Sequence, residues 1–499
     1  MPRRYHVRTF GCQMNEHDSG RAAGMLETLG YRLAESEADA DLVLLNTCAV
    51  RENADNRLYG TLGHLKSVKD ARRAAGGDLT IAVGGCLAQK DGEAVAARAP
   101  WVDVVYGTHN LPQLPRLLAD ADSAAVPVVE LVETLETFPS ALPAKREVRH
   151  HAWVSIAVGC NNACTFCIVP SLRGPERSRR IGEIVDEVQQ LVADDVVEVT
   201  LLGQNVNSYG RDLAGASQFP ALLRELGSVA GLERLRFTSP HPRDFTEEVL
   251  QAMAATPVVM PHLHLPLQSG SDRVLRAMRR SYRQRRYLAL VDRARELLPG
   301  ASLTTDIIVG FPGETEEDFQ ATLDVVERVR FDQAFTFQYS PRPGTPAAEM
   351  TDSYVDPEVV GDRYQRLERA VRRHSHEAHD RLVGTRQEVL IESPSRTDAS
   401  RWSGRTRGNQ LVHLPAPAST PGIEPAFAPG DIVEVEVLEA ATNYTIGGAA
   451  TVVRRTAAGR AAAAAIARGD GWRVGSSVTG GAASVSAASR LPVLTTDAG

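Results

Sequence analysis

Three cysteines, Cys160, Cys164 and Cys167, fall within eight residues in the run VGCNNACTFCIVP. A cubic four-iron, four-sulfur cluster normally takes four cysteine ligands, and structural zinc also prefers four. Three thiolates on one loop therefore leave one metal position for something that is not protein. The apolar stretch from Trp153 to Val158 ends at this loop, so a strand delivers it to one edge of a sheet. A zinc knuckle completed by a distant ligand, or a set of disulfides, would use the same residues. No CxxC or HxxxH partner follows at zinc-site spacing.

A chain of 499 residues is too long for one core and suggests about three domains. Its 43% apolar and 23% charged residues are those of a globular protein. The basic start MPRRYHVRTFGC lacks the apolar run of a signal peptide, and no stretch of about 18 apolar residues occurs. A cytoplasmic location without membrane contact is expected, where cysteines stay reduced and serve metals or catalysis. The net charge of -7 argues against a general nucleic-acid binder, although local basic patches remain possible. Only Lys66, Lys69, Lys90 and Lys145 are lysines, so almost every basic residue is arginine.

Residues 1–119 alternate short apolar runs with helical stretches, as βαβ units do, with strands expected at Tyr5–Phe10, Leu42–Leu45, Leu79–Val83 and Val102–Tyr106. Residues 120–147, rich in Ala, Pro and Glu, read as a linker. In residues 148–382 the alternation resumes, with strands expected at Ala152–Val158, Val196–Leu202, Arg234–Thr238, Leu263–Leu267, Ser302–Val309 and Gln333–Gln338. Six β/α units suggest a parallel sheet curled into a partial barrel with its chemistry at the strands' carboxyl ends. Residues 357–383 read as a charged helix, and residues 383–455 as a small β-barrel of short strands between Gly and Pro turns. The Ala/Gly/Ser-rich tail, 456–499, is expected to be disordered.

The remaining cysteines, Cys12, Cys48 and Cys86, are separated by 36 and 38 residues, and each directly follows an expected strand: HVRTFGC, LVLLNTC and IAVGGC. One βαβ crossover takes about 30 residues or more, so each interval fits one crossover. Parallel neighbours bring equivalent strand ends together, at the crevice where such sheets bind ligands. A single cysteine so placed would read as a small buried core residue. Burial alone does not explain three in equivalent places, which form a second set of three thiolates.

At this point the chain resembles the radical S-adenosylmethionine (SAM) methylthiotransferase family. GCQMNEHDS, NTCAVRENA and GGCLAQ are similar to that family's amino-terminal domain, and CNNACTFCIVPSLRGPERSR to its radical SAM part. LLGQNVNSYG, HLPLQSGSDRVLRAMRRSY and TDIIVGFPGETEEDF continue the match, while SGRTRGNQLVHL and GDIVEVEVLEAATNYTIGG resemble the terminal β-barrel called TRAM. The resemblance covers nearly all of residues 5–455. The linker, a Pro/Ala insert at 415–429 and the tail depart from the family pattern. Within the family, GCQMN and CIVPSLRGPERSR look most like the branch acting on isopentenyladenosine beside the tRNA anticodon.

The resemblance implies an α/β chain with an open parallel amino-terminal domain, a partial (β/α)6 radical SAM barrel and a small all-β TRAM barrel. It implies two 4Fe-4S clusters. Cys160, Cys164 and Cys167 would hold one, whose open iron chelates SAM, and Cys12, Cys48 and Cys86 would hold the other, which carries the transferred sulfur. SAM would lie against Gly203, Gln204, Asn205, Gln268, Ile308 and Gly310. An electron passed from a flavodoxin- or ferredoxin-type donor would split SAM to a 5′-deoxyadenosyl radical. That radical is needed because C2–H of adenine is not acidic enough for a side-chain base. The implied product is a methylthio group on C2 of N6-isopentenyladenosine, made at the expense of two SAM by a monomer.

Arg173, Arg177, Arg179 and Arg180 follow the cysteine loop and are expected to hold tRNA phosphates, with Arg405 and Arg407 in the TRAM-like part. The run Arg273–Arg295 carries nine arginines and one acid, Asp292, and reads as a helix that is either a solvated face or an RNA patch. Thr315 and Asp318 have capping-box spacing. His241, His262 and His264 read as packing or polar-shell residues. Two other readings stay open. One keeps the chemistry but changes the substrate, to a threonylcarbamoyl-adenosine tRNA or a ribosomal protein. The other is a non-catalytic iron–sulfur RNA-binding protein.

Overall fold

The computed structural model describes residues 2–11, 13–49, 52–124, 126–132, 142–146, 148–395, 397–418 and 422–470. Cys12 and most of the tail lie outside them. In the amino-terminal domain, strands β1 (Arg4–Thr9), β2 (Arg32–Leu33), β3 (Leu42–Thr47), β4 (Thr80–Gly85), β5 (Val104–Tyr106) and β6 (Val128–Glu130) alternate with helices α1 (Gln13–Thr28), α2 (Glu52–Ala74), α3 (Cys86–Arg98) and α4 (Leu114–Ala121). All pairings are parallel, in the order β2-β1-β3-β4-β5-β6. Such a sheet is covered on both faces, which is why β3 and β4 read as near-continuous apolar runs. The order reverses at β1/β3, so the crevice for a ligand lies at the carboxyl ends of those two strands. Strand β6 falls inside the stretch read as a linker. Its VVE is too short to show an alternation in sequence, but it extends the sheet edge beside β5.

The second domain runs β7 (His151–Ser155), β8 (Ala157–Val158), α5 (Val169–Arg173), β9 (Arg177–Ser178), α6 (Ile181–Ala193), β10 (Glu198–Leu202), α7 (Arg211–Ala214), α8 (Phe219–Gly227) and β11 (Arg234–Phe237). It continues with α9 (Glu247–Ala255), β12 (His262–His264), α10 (Asp272–Ala277), α11 (Gln284–Leu297), β13 (Ser302–Val309), α12 (Glu316–Val329), β14 (Gln333–Gln338) and the long α13 (Pro357–Asp380). Parallel sheets β7-β10-β11 and β12-β13-β14 are joined by a parallel bridge between Leu235 and Val259. The six strands form an incomplete barrel around which the helices bury one large apolar core. Helix α12 starts with the expected capping box of Thr315 and Asp318. The basic run 273–295 is not one helix. Arg279, with φ +53°, breaks it between α10 and α11.

Strands β15 (Arg386–Pro394), β16 (Arg401–Thr406), β17 (Leu411–Pro415), β18 (Ile432–Ala440) and β19 (Thr445–Arg454) close into a barrel in the order β15-β16-β17-β19-β18. Helix α14 (Ala457–Ala467) follows, where disorder was expected, and lays Ala462 and Ala463 on the barrel core. Composition hides this helix, because its small residues allow close approach to the barrel. Its start is specified by Thr456, whose hydroxyl accepts from Gly459 N–H, and by the buried Asp431, which accepts from Thr456 N–H. Among the described residues no helix is long and apolar enough to cross a membrane.

The small barrel is seated on the amino ends of β10 and β11 through buried charge. Arg234, fully buried, donates to the Arg405 carbonyl at 2.9 Å and to Glu388 at 3.0 Å. Arg236 donates to Glu198 at 3.0 Å and to the Thr406 and Arg407 carbonyls at 3.0 and 3.2 Å. Burial pushes the Glu198 carboxyl up, but the Arg236 and Arg234 charges outweigh it and hold the group down to about 2. Because this value lies below the ordinary 4.5, the pair's stabilisation is complete above pH about 4.5 and is lost as pH falls toward 2. Arg236→Ala, which leaves Glu198 buried and unpaired, should cost about 3–5 kcal/mol. It should also flatten the acid limb of a series of urea-unfolding midpoints taken from pH 7 down to 3.

Candidate active site at two facing cysteine groups

The loop carrying Cys160, Cys164 and Cys167 is closed by the short antiparallel pair β8 and β9. Gly159 opens it at φ +76°, in a place where a Cβ would collide with the Pro175 carbonyl. Cys160 N–H donates to the Gly174 carbonyl at 3.1 Å. Thr165 ties the far side to the end of α10, its N–H to the Met278 carbonyl at 3.2 Å and its hydroxyl to the Ala277 carbonyl at 3.0 Å. The loop is thus held on both sides by backbone bonds, independent of any bound group.

The three sulfurs share one space. Burial pushes the Cys167 thiol up to about 12, and the charges of Cys164 and Cys160 add to that. Burial raises Cys160 too, with Cys164 adding again. Burial thus opposes ionisation of Cys160 and Cys167, and metal binding deprotonates such thiols outright. Ligands of a cubic cluster bind separate irons, and three cysteines spread along one loop are a donor set that fits such a cluster.

The expected SAM contacts all follow barrel strands at the same end as this loop. Gly203, Gln204 and Asn205 follow β10, Gln268 follows β12, and Ile308 and Gly310 stand at the end of β13. Asn205 is buried, donates through Nδ2 to Asp244 at 2.8 Å, and has a buried Oδ1 with no hydrogen-bond partner. That orphaned acceptor suits a bound ammonium. Gln268 takes φ +66° and is locked against β13, donating to the Asp306 carbonyl and accepting from Ile308 N–H at 2.8 and 2.9 Å. Gly310 N–H donates to the buried Glu314 at 2.8 Å. His262 and His264 place ring nitrogens 3.2 and 2.9 Å from Thr304 Oγ1, and His241 packs on Tyr282.

In the amino-terminal domain Cys48 directly follows β3 and Cys86 begins α3 after β4, both buried. Gly11, at φ +126°, lies against Cys48, so that any Cβ there would strike the Cys48 side chain. The residue before Cys12 therefore touches Cys48, at the switch point of the sheet. Asn15 and Asn46, which sequence reasoning passed over inside the GCQMN and NTC runs, hold these strand ends. Asn15 Nδ2 donates to the Phe10 and Thr47 carbonyls at 3.0 and 2.8 Å, and Asn46 Nδ2 to the Asn15 carbonyl at 2.8 Å.

The two groups face each other. Ala49 and Cys86 form one apolar cluster with Ile168 and Leu172, and Ile168 is the neighbour of Cys167. Thr108 Oγ1 donates to the Leu172 carbonyl at 2.9 Å, and Arg173 pairs with Asp18 of α1 at 2.9 Å. These contacts correct part of the expected RNA surface. Arg173 is buried in this junction. Arg179, also buried, donates to the Ser155 carbonyl and pairs with Glu187, which pairs in turn with Arg21. Arg405 is buried between the small barrel and the second domain, against Glu392 at 3.2 Å. A guanidinium committed to a buried carboxylate is not available to phosphate. Arg177 and Arg180 are exposed, and Arg407 is partly so at the junction of the two barrels.

Family models match three successive parts of the chain: uncharacterized protein family UPF0004 over residues 4–107, the Radical SAM superfamily over 154–326 and the TRAM domain over 380–449. A tRNA-2-methylthio-N(6)-dimethylallyladenosine synthase of Nocardioides sp. is 56% identical over 495 residues, covering 98% of this chain and 97% of the relative. The chain belongs to that synthase family. A relative of the same description from Acidothermus cellulolyticus is 59% identical over 463 residues, covering 92% of this chain and 90% of its own length. Among solved structures, the radical SAM methyltransferase TsrM of Kitasatospora setae, with tryptophan and a SAM analogue bound, superposes with a TM-score of 0.51 at 17% identity, covering 69% of this chain and 75% of its own. A second TsrM structure, with cobalamin and a [4Fe-4S] cluster, gives a TM-score of 0.50 at 18% identity, covering 70% and 77%. That likeness is one of fold.

Gly159→Ala should abolish iron uptake by the barrel loop alone, lowering iron after anaerobic reconstitution from about eight to about four atoms per chain. Gly11→Ala should remove the other half. Iron analysis with the sulfur-to-iron absorption band reads both.

Proposed function

We propose that the chain attaches a methylthio group to C2 of N6-isopentenyladenosine beside the anticodon of tRNA. The observation that carries this reading is the apposition of the two cysteine groups across the Ala49, Cys86, Ile168 and Leu172 contact, in a chain whose relatives share one synthase description. Cys160, Cys164 and Cys167 would hold one 4Fe-4S cluster together with SAM, and Cys12, Cys48 and Cys86 would hold the other. When bound, these groups supply one-electron cleavage of SAM, removal of the C2 hydrogen and the sulfur that replaces it.

The chain's own part is placement. Asn205 offers its unsatisfied Oδ1 to the ammonium of SAM, Gln268 and Ile308 form a fixed backbone edge at the same end of the barrel, and Gly310, whose missing side chain leaves room for Val360, ends β13 there. Gly203 and Gln204 complete that wall. The loop bonds of Thr165 and the Asn15–Asn46 stitch keep the barrel loop and the strand end that carries Cys48 in position before any ligand arrives, so little is lost in ordering them. Arg177, Arg180 and Arg407 contact the tRNA backbone, with the small barrel as a second grip. A flavodoxin- or ferredoxin-type protein supplies electrons to a cytoplasmic monomer.

Deleting the gene and digesting bulk tRNA should show, by mass spectrometry, isopentenyladenosine without its methylthio group; unchanged tRNA would sink the assignment. In the purified enzyme Cys164→Ala should abolish 5′-deoxyadenosine formation. Cys48→Ala should leave it measurable while ending thiolation, and loss of both activities would undo the division of labour between the two groups.

A further inference from the structure

Arg280 belongs by sequence to a basic run, yet the structure buries it in the break between α10 and α11, with 7% of its surface exposed. Its Nη1 lies 3.4 Å from Cys164 Sγ, its Nε donates to the Tyr282 hydroxyl at 3.0 Å, and its guanidinium carbon stands 5.0 Å from the centre of the Tyr282 ring. Tyr282 is itself fully buried and anchored, its hydroxyl 2.7 Å from the Pro266 carbonyl and 2.9 Å from that of Leu267. The guanidinium is therefore held from behind and aimed at the cysteine loop.

Burying a guanidinium costs several kcal/mol unless an anion offsets it. The side-chain partners of Arg280 are a phenol and a thiol, not a carboxylate. Arg243, the other arginine near Cys160 and Cys164, is committed to Asp244 through two bonds of 3.0 Å. Arg280 thus brings the one uncompensated positive charge among the arginines described at this loop. Its counter-charge has to come from what the cysteines hold.

We propose that Arg280 is a positioning residue that donates a charge-assisted hydrogen bond to the Cys164 sulfur and raises the reduction potential of the cluster held by Cys160, Cys164 and Cys167. This rests on the assignment of a cluster to those cysteines. One electron taken from a reductant makes the cluster more negative, and a fixed cation donating to a ligand sulfur stabilises that reduced form. The consequence is a cluster that a modest physiological donor can reduce.

The test uses the full chain with Cys12, Cys48 and Cys86 changed to Ser, so that one cluster remains, reconstituted anaerobically and titrated with dithionite under electron paramagnetic resonance. Arg280→Gln should bind the same iron but shift the reduction equilibrium at least tenfold toward the oxidised form, about 59 mV for one electron. Arg280→Lys should restore most of that shift. An unchanged midpoint in Arg280→Gln overturns the proposal, as does an equal shift in Gln and Lys. If Arg280→Gln fails to hold iron, Arg280→Lys decides: retention of iron and of the parent midpoint upholds the charge, and loss of iron in both overturns it. A parent that takes up no cluster defeats the assignment of the cysteines, an outcome distinct from an unchanged midpoint.

Discussion

The small apolar contact of Ala49 and Cys86 with Ile168 and Leu172 sets how far apart the two cysteine groups stand. By area it is modest, and at about 0.8 kcal/mol per buried methylene it could not by itself hold two α/β domains in one orientation. The surrounding polar contacts supply direction. Arg173 with Asp18, and Arg21 and Arg179 sharing Glu187, cross the junction with defined geometry. Buried ion pairs of this kind contribute little net stability but strongly disfavour a shifted arrangement, because any slip strands a charge. Position, more than affinity, is what a reaction between two separately held groups requires.

Both halves of the site use the same architecture. Parallel strands end together, and their carboxyl ends open into loops whose backbone groups are no longer committed to the sheet. In the first domain Cys48 and Cys86 stand at separate strand ends, and the Asn15 and Asn46 amides tie the ends of β1 and β3 together. In the second they sit on one loop and need only its two edges tied down. The local group is therefore built by a hairpin, the distributed group by the sheet.

Much of this was legible in the sequence, for physical reasons. Strands buried on both faces are continuous apolar runs, so β3, β4 and β5 stand out, the other expected strands read as short apolar stretches between helical ones, and Cys48 and Cys86 mark the ends of β3 and β4. Family resemblance supplied the roles. What escaped lacks a local signal. Strand β6 is three residues of edge, and α14 is alanine-rich with its capping partner Asp431 two barrel strands earlier in the chain. A basic residue in a run also reads the same whether it faces water, a carboxylate or a thiol. Arg173, Arg179, Arg405 and Arg280 could be told from Arg177 and Arg180 only by tertiary burial. Cys12 lies outside the described residues, and its membership of the second group rests on Gly11 touching Cys48 and on the sequence spacing.

The seating of the small barrel has a bearing on how such a chain can diversify. Arg234 and Arg236 reach the hairpin at residues 405–407 chiefly through its main-chain carbonyls. A main-chain grip is indifferent to what side chains the hairpin carries, provided its bend is kept. The outward-facing side chains of that hairpin can therefore change without unseating the barrel from β10 and β11.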